Sequence, residues 1–177
     1  AYRTELLRLV EIDADNRIAA HVVFDPEDFD VAIRELEARY LAGDAAPYAD
    51  TWSVIAQGFA ALNRREPPAT TPDWVSIDHR VVATMQGDHA ASVRSTWDVL
   101  PEANFCVEAV HVLSDIGAVL THAGYGTSDL GFDVEWRIVE LLTIDGRAID
   151  RAEFFDEAQL DAALARFESL CSPARLQ

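Results

Sequence analysis

Residues 104–156 constrain the fold of this chain most strongly, because they read as four consecutive strands. Three long segments, residues 104–113, 117–126 and 131–145, are rich in Val, Ile, Thr and aromatic residues, and a shorter strand follows them. Gly, Asp and Ser separate the segments by short connections, which is typical of antiparallel pairing. A curled sheet of this kind has one face that must be covered, and the helical segments before it are the obvious cover.

The segments around these strands predict helices. Each carries apolar residues at the spacing of one helical face. The last begins at Asp156, where Gln159 is placed to complete a capping box. A strand is expected over residues 74–84, and residues 2–24 read as a hairpin. The four helices are expected to start near Asp25, Pro47, Gly87 and Asp156.

One internal repeat connects the two ends of the chain, and each copy reads strand, turn, strand, capped helix. Any unit of this kind shares some of that pattern, but identity at the turn, the cap and the helix favours duplication. We therefore expect residues 1–24 to be a hairpin remaining from an upstream repeat, residues 25–171 to be a complete domain, and residues 172–177 to be a tail. The first copy has Leu9, Ile12, Asp13, Ile18, Phe24 and Asp25 where the second has Leu141, Ile144, Asp145, Ile149, Phe155 and Asp156.

Composition excludes several classes of partner. The chain has 14 Lys and Arg against 31 Asp and Glu, a net charge of −17, which repels phosphate backbones and anionic lipid. Nucleic acid and membrane surfaces are therefore not expected as partners, and no apolar run approaches the roughly 20 residues of a membrane span. Two cysteines in different elements, Cys106 and Cys171, favour a cytoplasmic protein with free thiols.

The order helix, helix, strand, helix, bent sheet resembles the nuclear transport factor 2-like superfamily. The run Asp73-Trp74-Val75-Ser76-Ile77-Asp78-His79-Arg80 resembles the strand of its SnoaL-like members, in which an Asp–His–Arg group follows a Trp. The resemblance implies a cone-shaped, strongly bent antiparallel sheet packed on three to four helices, here with an extra N-terminal β-hairpin. It also implies a mostly apolar cavity and a homodimer formed through the outer face of the sheet.

A narrower resemblance covers residues 5–41, 51–80 and 97–155. These stretches look like the C-terminal region of actinobacterial regulators that join a cyclase-like or signalling ATPase head to tandem SnoaL-like tails. The superfamily contains isomerases, polyketide cyclases and epoxide hydrolases, and also binding domains without chemistry. The fold alone therefore does not select a function.

Asp78 and His79 are the first candidate catalytic residues. The resemblance places Asp78 where related enzymes have a general base near the mouth of the cone, and apolar walls would raise its pKa. The alternative is a surface aspartate paired with Arg80, two residues further along the strand. His79 points to the opposite face from Asp78 in a regular strand, so only one of the two can enter a cavity.

His111 and His122 are the second pair of candidates. A tight turn between their strands would bring them near each other diagonally, where two imidazoles could bind a ligand or relay a proton. The alternative is two histidines on a half-solvated sheet face. Without a third ligand at suitable spacing, a metal site is not expected.

Glu140 lies in an otherwise apolar strand, so it must be paired, protonated or functional. Its partner would be Arg137 or a histidine on a neighbouring strand, and a dimer or sheet-face role is favoured. Ligand contacts are expected from Glu140 and from the aromatic residues Trp52, Trp97, Trp136 and Tyr48, although aromatic residues at helical spacing are more often core. No phosphate-binding loop or dinucleotide fingerprint occurs, so no cofactor is expected.

Two main functional hypotheses follow. The first is a non-catalytic module of a larger regulatory protein that binds a small apolar ligand, dimerises, or both. The second is an acid–base enzyme, a cyclase, isomerase or epoxide hydrolase, that uses Asp78 with one of the three histidines. A third hypothesis is a scaffold whose own side chains fill the cavity. An enzyme predicts an open cavity into which Asp78 or the histidines point.

Overall fold

The computed structural model of the protein describes residues 5–81 and 89–172. Contacts along the chain divide it into two compact units, Ala1–Ala49 and Asp50–Gln177. The first unit contains the strands β1 (Leu7–Ile12) and β2 (Ile18–Phe24) and the helix α1 (Phe29–Ala42). The elements of the second unit are α2 (Ala49–Asn63), β3 (Thr70–Asp78), α3 (His89–Val99), β4 (Asn104–Ser114), β5 (Gly117–Thr127), β6 (Asp133–Asp145), β7 (Ala148–Phe155) and α4 (Leu160–Cys171).

The second unit is built on a curved, open five-stranded sheet in the order β3-β7-β6-β5-β4. All neighbours pair antiparallel except the edge strand β3, which runs parallel to β7. Two register shifts interrupt the pairing of β4 with β5, and such bulges bend a strand. The predicted α+β class with a bent, largely antiparallel sheet is confirmed.

Successive side chains along each strand point to opposite sides, so this sheet has two distinct faces. We call one the cavity face, defined by Glu140 and Leu142 on β6 and Ala152 on β7. The other, the α4 face, is defined by Val119, Val139, Leu141 and Phe155. These four buried side chains form one core cluster with residues of α4, chiefly Ala163 and Phe167. Both faces of the central strands are therefore covered.

Helix α2 covers the cavity face and is fixed at both ends. Near its start, the Thr51 hydroxyl donates a hydrogen bond to the carbonyl of Asp115, at 3.2 Å. At its end, the Asn63 amide makes two hydrogen bonds with the backbone of Phe105, at 2.8 and 2.9 Å. Ile55, between them, is fully buried. These anchors hold one face of α2 against the strands that carry the candidate site.

A fully buried carboxylate, Glu153, ties α4 to the sheet. Its oxygens accept hydrogen bonds from Arg151 at 2.9 Å and from Arg166 of α4 at 3.1 Å, and the His79 ring lies 2.8 Å away. Burial acts to raise the pKa of Glu153, but the hydrogen bonds from Arg166, His79 and Arg151 outweigh it, so the pKa lies below its usual value. The carboxylate is therefore ionised at neutral pH and holds three elements together.

The first unit has the same order of elements as β6, β7 and α4. Glu11 of β1 binds Arg39 of α1 at 2.8 Å, and Leu9 is buried. The opposite face of the hairpin is exposed and carries Val10, Ile12 and Val23 together with the polar residues Arg8 and His21. Helix α1 belongs to the same compact unit as the hairpin, whereas the predicted domain boundary lies between them, after residue 24. That boundary stays a prediction.

The predicted elements correspond closely to the observed ones where the structure describes them. The capping box is present, and the Asp156 amide donates to the Gln159 side chain at 2.9 Å. The strand predicted over residues 74–84 lies earlier in the structure: β3 runs from Thr70 to Asp78, residues 79–81 are not in a strand, and residues 82–84 lie outside the described residues. The start predicted for the third helix at Gly87 and nearly all of the predicted tail lie outside them as well.

Candidate active site

A small cavity lies between α2 and the cavity face. Its volume is about 30 Å³, which is room for one water molecule. Its walls are mostly apolar and include one carboxylate, that of Glu140, and the polar residue Thr70. The residues that line it include Ile55, Phe59, Trp74, Glu140, Leu142 and Ala152.

Glu140 forms a buried pair with His122 on the adjacent strand β5. The register places His122 opposite Ile138, so Glu140 is its diagonal neighbour. The His122 Nδ1 atom lies 2.9 Å from Glu140 Oε2, and the two residues are only 6% and 7% exposed. An ionised carboxylate accepts hydrogen bonds, so Nδ1 can donate to it, and in that tautomer Nε2 of a neutral ring is a proton acceptor.

Aromatic rings hold the imidazole of His122 in place. Phe59 of α2 and Phe105 of β4 meet it edge-on, with ring centroids at 5.4 and 6.4 Å. Phe105 in turn packs edge-on against Trp136 at 5.8 Å. Gly124 makes this possible, because a Cβ atom there would lie 2.1 Å from the Trp136 ring. These contacts restrict the ring and keep water away from it.

A second charged pair, Asp78 and Arg80, lies at the end of β3. The guanidinium binds the carboxylate through two hydrogen bonds of 2.8 and 2.7 Å, and the Asp78 side chain is fully buried. The hydrogen bond to Asp78 raises the pKa of Arg80 above its usual value against the opposing effect of burial, and the negative charge of Glu140 contributes. Arg80 is therefore a fixed cation that feels the charge of Glu140.

These charges lie in one row across the sheet. Asp78 is paired in register with Phe154 of β7, and Phe154 with Glu140 of β6. Two strand spacings separate Asp78 from Glu140, which is roughly 10 Å between backbones. Phe154 lies between Asp78 and Glu140 in this row, and the Arg80 guanidinium is 5.9 Å from the centre of its ring. A histidine base, its carboxylate and a cation thus share one face, next to an apolar cavity.

The structure separates the members of both candidate pairs, Asp78 with His79 and His111 with His122. Asp78 and His79 lie on opposite faces, as predicted, and His79 stacks on Phe155 at 4.4 Å on the α4 face. The prediction that His111 and His122 lie near each other is wrong. His111 contacts Thr121 at 2.8 Å, on the face opposite to His122, because the bulges in β4 shift its register.

The pairing of Asp78 with Arg80 is confirmed, but the expectation that such a pair lies on the surface is wrong. Glu140 is paired with a histidine of the neighbouring strand, which was one of the two alternatives. Its assignment as a ligand contact stays a prediction, although it does line the cavity.

The other predicted ligand contacts are dispersed. Of the described residues, those lining the cavity do not include Trp52, Trp97 or Trp136. Trp52 is buried in α2, and Trp97 is half-buried in α3, while Trp136 packs on Phe105. Tyr48 is half-buried in the first unit. Their role as ligand contacts stays a prediction.

Two features of the structure were not found from the sequence. Arg80 was read as a surface partner of Asp78, but its side chain is only 12% exposed. Glu153 was overlooked, although it lies in the apolar run Ala152-Glu153-Phe154-Phe155 and carries the same signal that singled out Glu140.

The described part of the chain contains neither a cluster of metal-binding side chains nor a helix that could span a membrane. No group of three or more His, Cys, Asp and Glu side chains among residues 5–81 and 89–172 is arranged to hold a metal ion. In the same residues no helix combines the length and the apolar character needed to cross a membrane.

The second unit thus has an α+β fold in which a curved, open sheet carries two buried pairs of ionisable side chains, His122–Glu140 and Asp78–Arg80, on the face beside a small cavity. No protein-family model and no curated protein sequence matches the chain. Two solved structures from Streptomyces show the likeness of fold. AclR of Streptomyces galilaeus, described as a candidate hydroxylase, has a TM-score of 0.52 and 16% identity, over 68% of this chain and 97% of its own. IdmH of Streptomyces antibioticus, described as a candidate polyketide cyclase, has a TM-score of 0.50 and 15% identity, over 65% of this chain and 98% of its own.

Proposed function

We propose that the protein is an acid–base enzyme of the SnoaL-like type, an isomerase, cyclase or epoxide hydrolase, in which His122 is the general base and Glu140 orients it. The observation that carries this proposal is the buried contact of 2.9 Å between the two side chains, of which Glu140 lines the small cavity; His122 is not among the described residues that line it. The likeness of fold to a candidate hydroxylase and a candidate polyketide cyclase supports it.

The chemistry needs a base, a way to keep it neutral, and a positive charge near the developing anion. Glu140 sets the tautomer of His122, so that Nε2 can accept a proton from a carbon next to a carbonyl group. Arg80 is held as a cation by Asp78, and a fixed charge in a water-poor site stabilises an enolate more strongly than it would in water. In this assignment Asp78 is the partner of the cation and not the base.

Hydrogen–deuterium exchange into small cyclic ketones tests the proposal without knowledge of the natural substrate. Cyclopentanone and cyclohexanone are incubated with the protein in D₂O, and mass spectrometry follows the α-protons. We expect His122→Gln to slow the catalysed exchange by about a hundredfold or more, since general-base catalysis contributes roughly 10²–10⁴-fold. His111→Gln is the matched control, because His111 lies on the other face of the sheet. Equal exchange by wild type and His122→Gln would contradict the proposal.

The second candidate function is a non-catalytic module of a larger, cytoplasmic regulatory protein. The small cavity favours it, since about 30 Å³ is far below the roughly 300 Å³ at which ligand pockets usually begin. The recurrence of strand, strand and helix in the first unit agrees with tandem domains of one kind, and both Cys106 and Cys171 are free thiols. Absence of any catalysed exchange, together with a homodimer in light scattering, would favour this candidate.

A further inference from the structure

A larger groove lies on the outer side of α2, next to the site but separate from it. Its volume is about 270 Å³. It extends from the last two turns of α2 to the turn between β6 and β7. Gly58 is the one residue that it shares with the small cavity, and a Cβ atom there would lie 3.4 Å from the Ile149 side chain and 3.8 Å from Pro68. The helix backbone at Gly58 thus forms the wall between the two spaces.

Two arginines line this groove, in a protein with only 14 basic residues and a net charge of −17. Arg147 is exposed in the β6–β7 turn, and among the described residues no carboxylate lies within ion-pair distance of it. Arg64 binds the lining residue Glu66 through hydrogen bonds of 2.9 and 3.0 Å. Both side chains of that pair are 58% exposed, so the pair contributes little and can open in favour of another anion.

The rest of the lining is apolar or neutral. Val54 and Ala61 of α2 and Pro67 and Ala69 of the following segment are apolar, and the Gln57 amide adds a neutral polar group. The charges of Arg64, Arg147 and Glu66 sum to +1. A single negative charge with a small apolar body matches both the charge and the lining.

We propose that this groove binds a small organic monocarboxylate, with its carboxylate on Arg147 and its apolar body against Val54, Ala61 and Ala69. A carboxylate matches the planar fork of a guanidinium. An inorganic phosphate carries more charge than the groove neutralises and has no apolar part. The volume limits the ligand to the size of benzoate or a somewhat larger acid. This site does not depend on the proposed acid–base function.

Titration of the ¹⁵N-labelled full chain with sodium benzoate, sodium acetate and sodium phosphate tests the proposal. The amide signals of Gly58 and Gly146 report on the groove. We expect benzoate to bind in the millimolar range, which a ligand of this size allows, and more tightly than acetate or phosphate. Arg147→Gln should weaken benzoate binding about tenfold, as loss of a charge-assisted hydrogen bond does.

Three further variants make the result specific. Arg17→Gln removes another exposed arginine next to a hairpin turn and should leave binding unchanged. Ala69→Leu fills the apolar wall and should weaken benzoate more than acetate. His122→Gln should leave benzoate binding unchanged. Failure of the proposed acid–base function can therefore be distinguished from failure of the proposed carboxylate site. The proposal is overturned if Arg147→Gln binds benzoate as tightly as wild type does, or if Arg17→Gln loses as much affinity for benzoate as Arg147→Gln. It is also overturned if benzoate and acetate bind with equal affinity in every variant.

Discussion

Replacement of Glu153 by glutamine tests how α4 is held on the sheet. The carboxylate is completely buried, while its partners His79, Arg151 and Arg166 are 37%, 23% and 39% exposed. Breaking a buried ion pair costs about 3–5 kcal/mol of stability. The cost is smaller here, because the partly exposed partners of Glu153 can be hydrated in the variant. We therefore expect Glu153→Gln to lower the free energy of unfolding by about 2–4 kcal/mol at pH 7.

The pH dependence of this loss follows from the pKa of Glu153. Because the folded-state pKa lies below the reference value of 4.5, the stabilisation is fully present above about pH 4.5 and is lost as the pH falls through the folded pKa. The glutamine cannot titrate. The difference in stability between wild type and Glu153→Gln should therefore be constant near neutrality and should narrow only below pH 4.5.

Urea unfolding followed by circular dichroism, from pH 7 to pH 3.5, measures both quantities. Glu135→Gln is the matched control, because Glu135 is 59% exposed beside Arg137, which keeps Glu108 as a partner. The control should lose less than about 0.5 kcal/mol. Equal stability of Glu153→Gln and wild type at pH 7, or a difference that does not change down to pH 3.5, would refute this reasoning.

Three other substitutions have expected outcomes that thermal or urea unfolding can check. Gly124→Ala should cost about 1–3 kcal/mol and alter the tryptophan fluorescence, because the added methyl group meets the Trp136 ring; an unchanged spectrum and stability would count against the observed stacking. Phe167→Ala should cost about 3–5 kcal/mol, since it empties the core beneath α4, and a loss below 1 kcal/mol would mean that α4 is not docked as observed. Val23→Thr, on the exposed face of the hairpin, should change stability by less than about 0.5 kcal/mol and reduce binding of an apolar dye, whereas a large loss would show that this face is covered.

The sequence carries enough information to predict the elements of this fold because their signals are local. Val-rich runs, glycine and aspartate turns, and the capping box at Asp156 each act within a few residues. The same reasoning singled out Glu140, because a carboxylate in an apolar strand must find a partner. It allowed a histidine of a neighbouring strand as that partner, and the structure shows His122.

What the sequence did not provide depends on packing between distant residues. The bulges in β4 place His111 on the wrong face for a pair with His122, and nothing in the strand pattern marks their positions. The parallel edge pairing of β3 with β7 brings Asp78 into a row with Glu140, although 62 residues separate them along the chain. The size of the cavity depends on how far the side chains of α2 and the sheet interdigitate, which no local pattern encodes.

The position of α4 has a consequence for self-association. Phe167 and its neighbours in α4 cover the core cluster of the α4 face, so two copies that met through this side of the second unit would use surface that α4 leaves uncovered, such as the strip beside β4 and β5. That strip carries the ion pair between Arg137 and Glu108, at 2.8 Å. A contact made there would combine charged and apolar groups, because Tyr125 lies on the same face and is 39% exposed, and raising the salt concentration would weaken its electrostatic part.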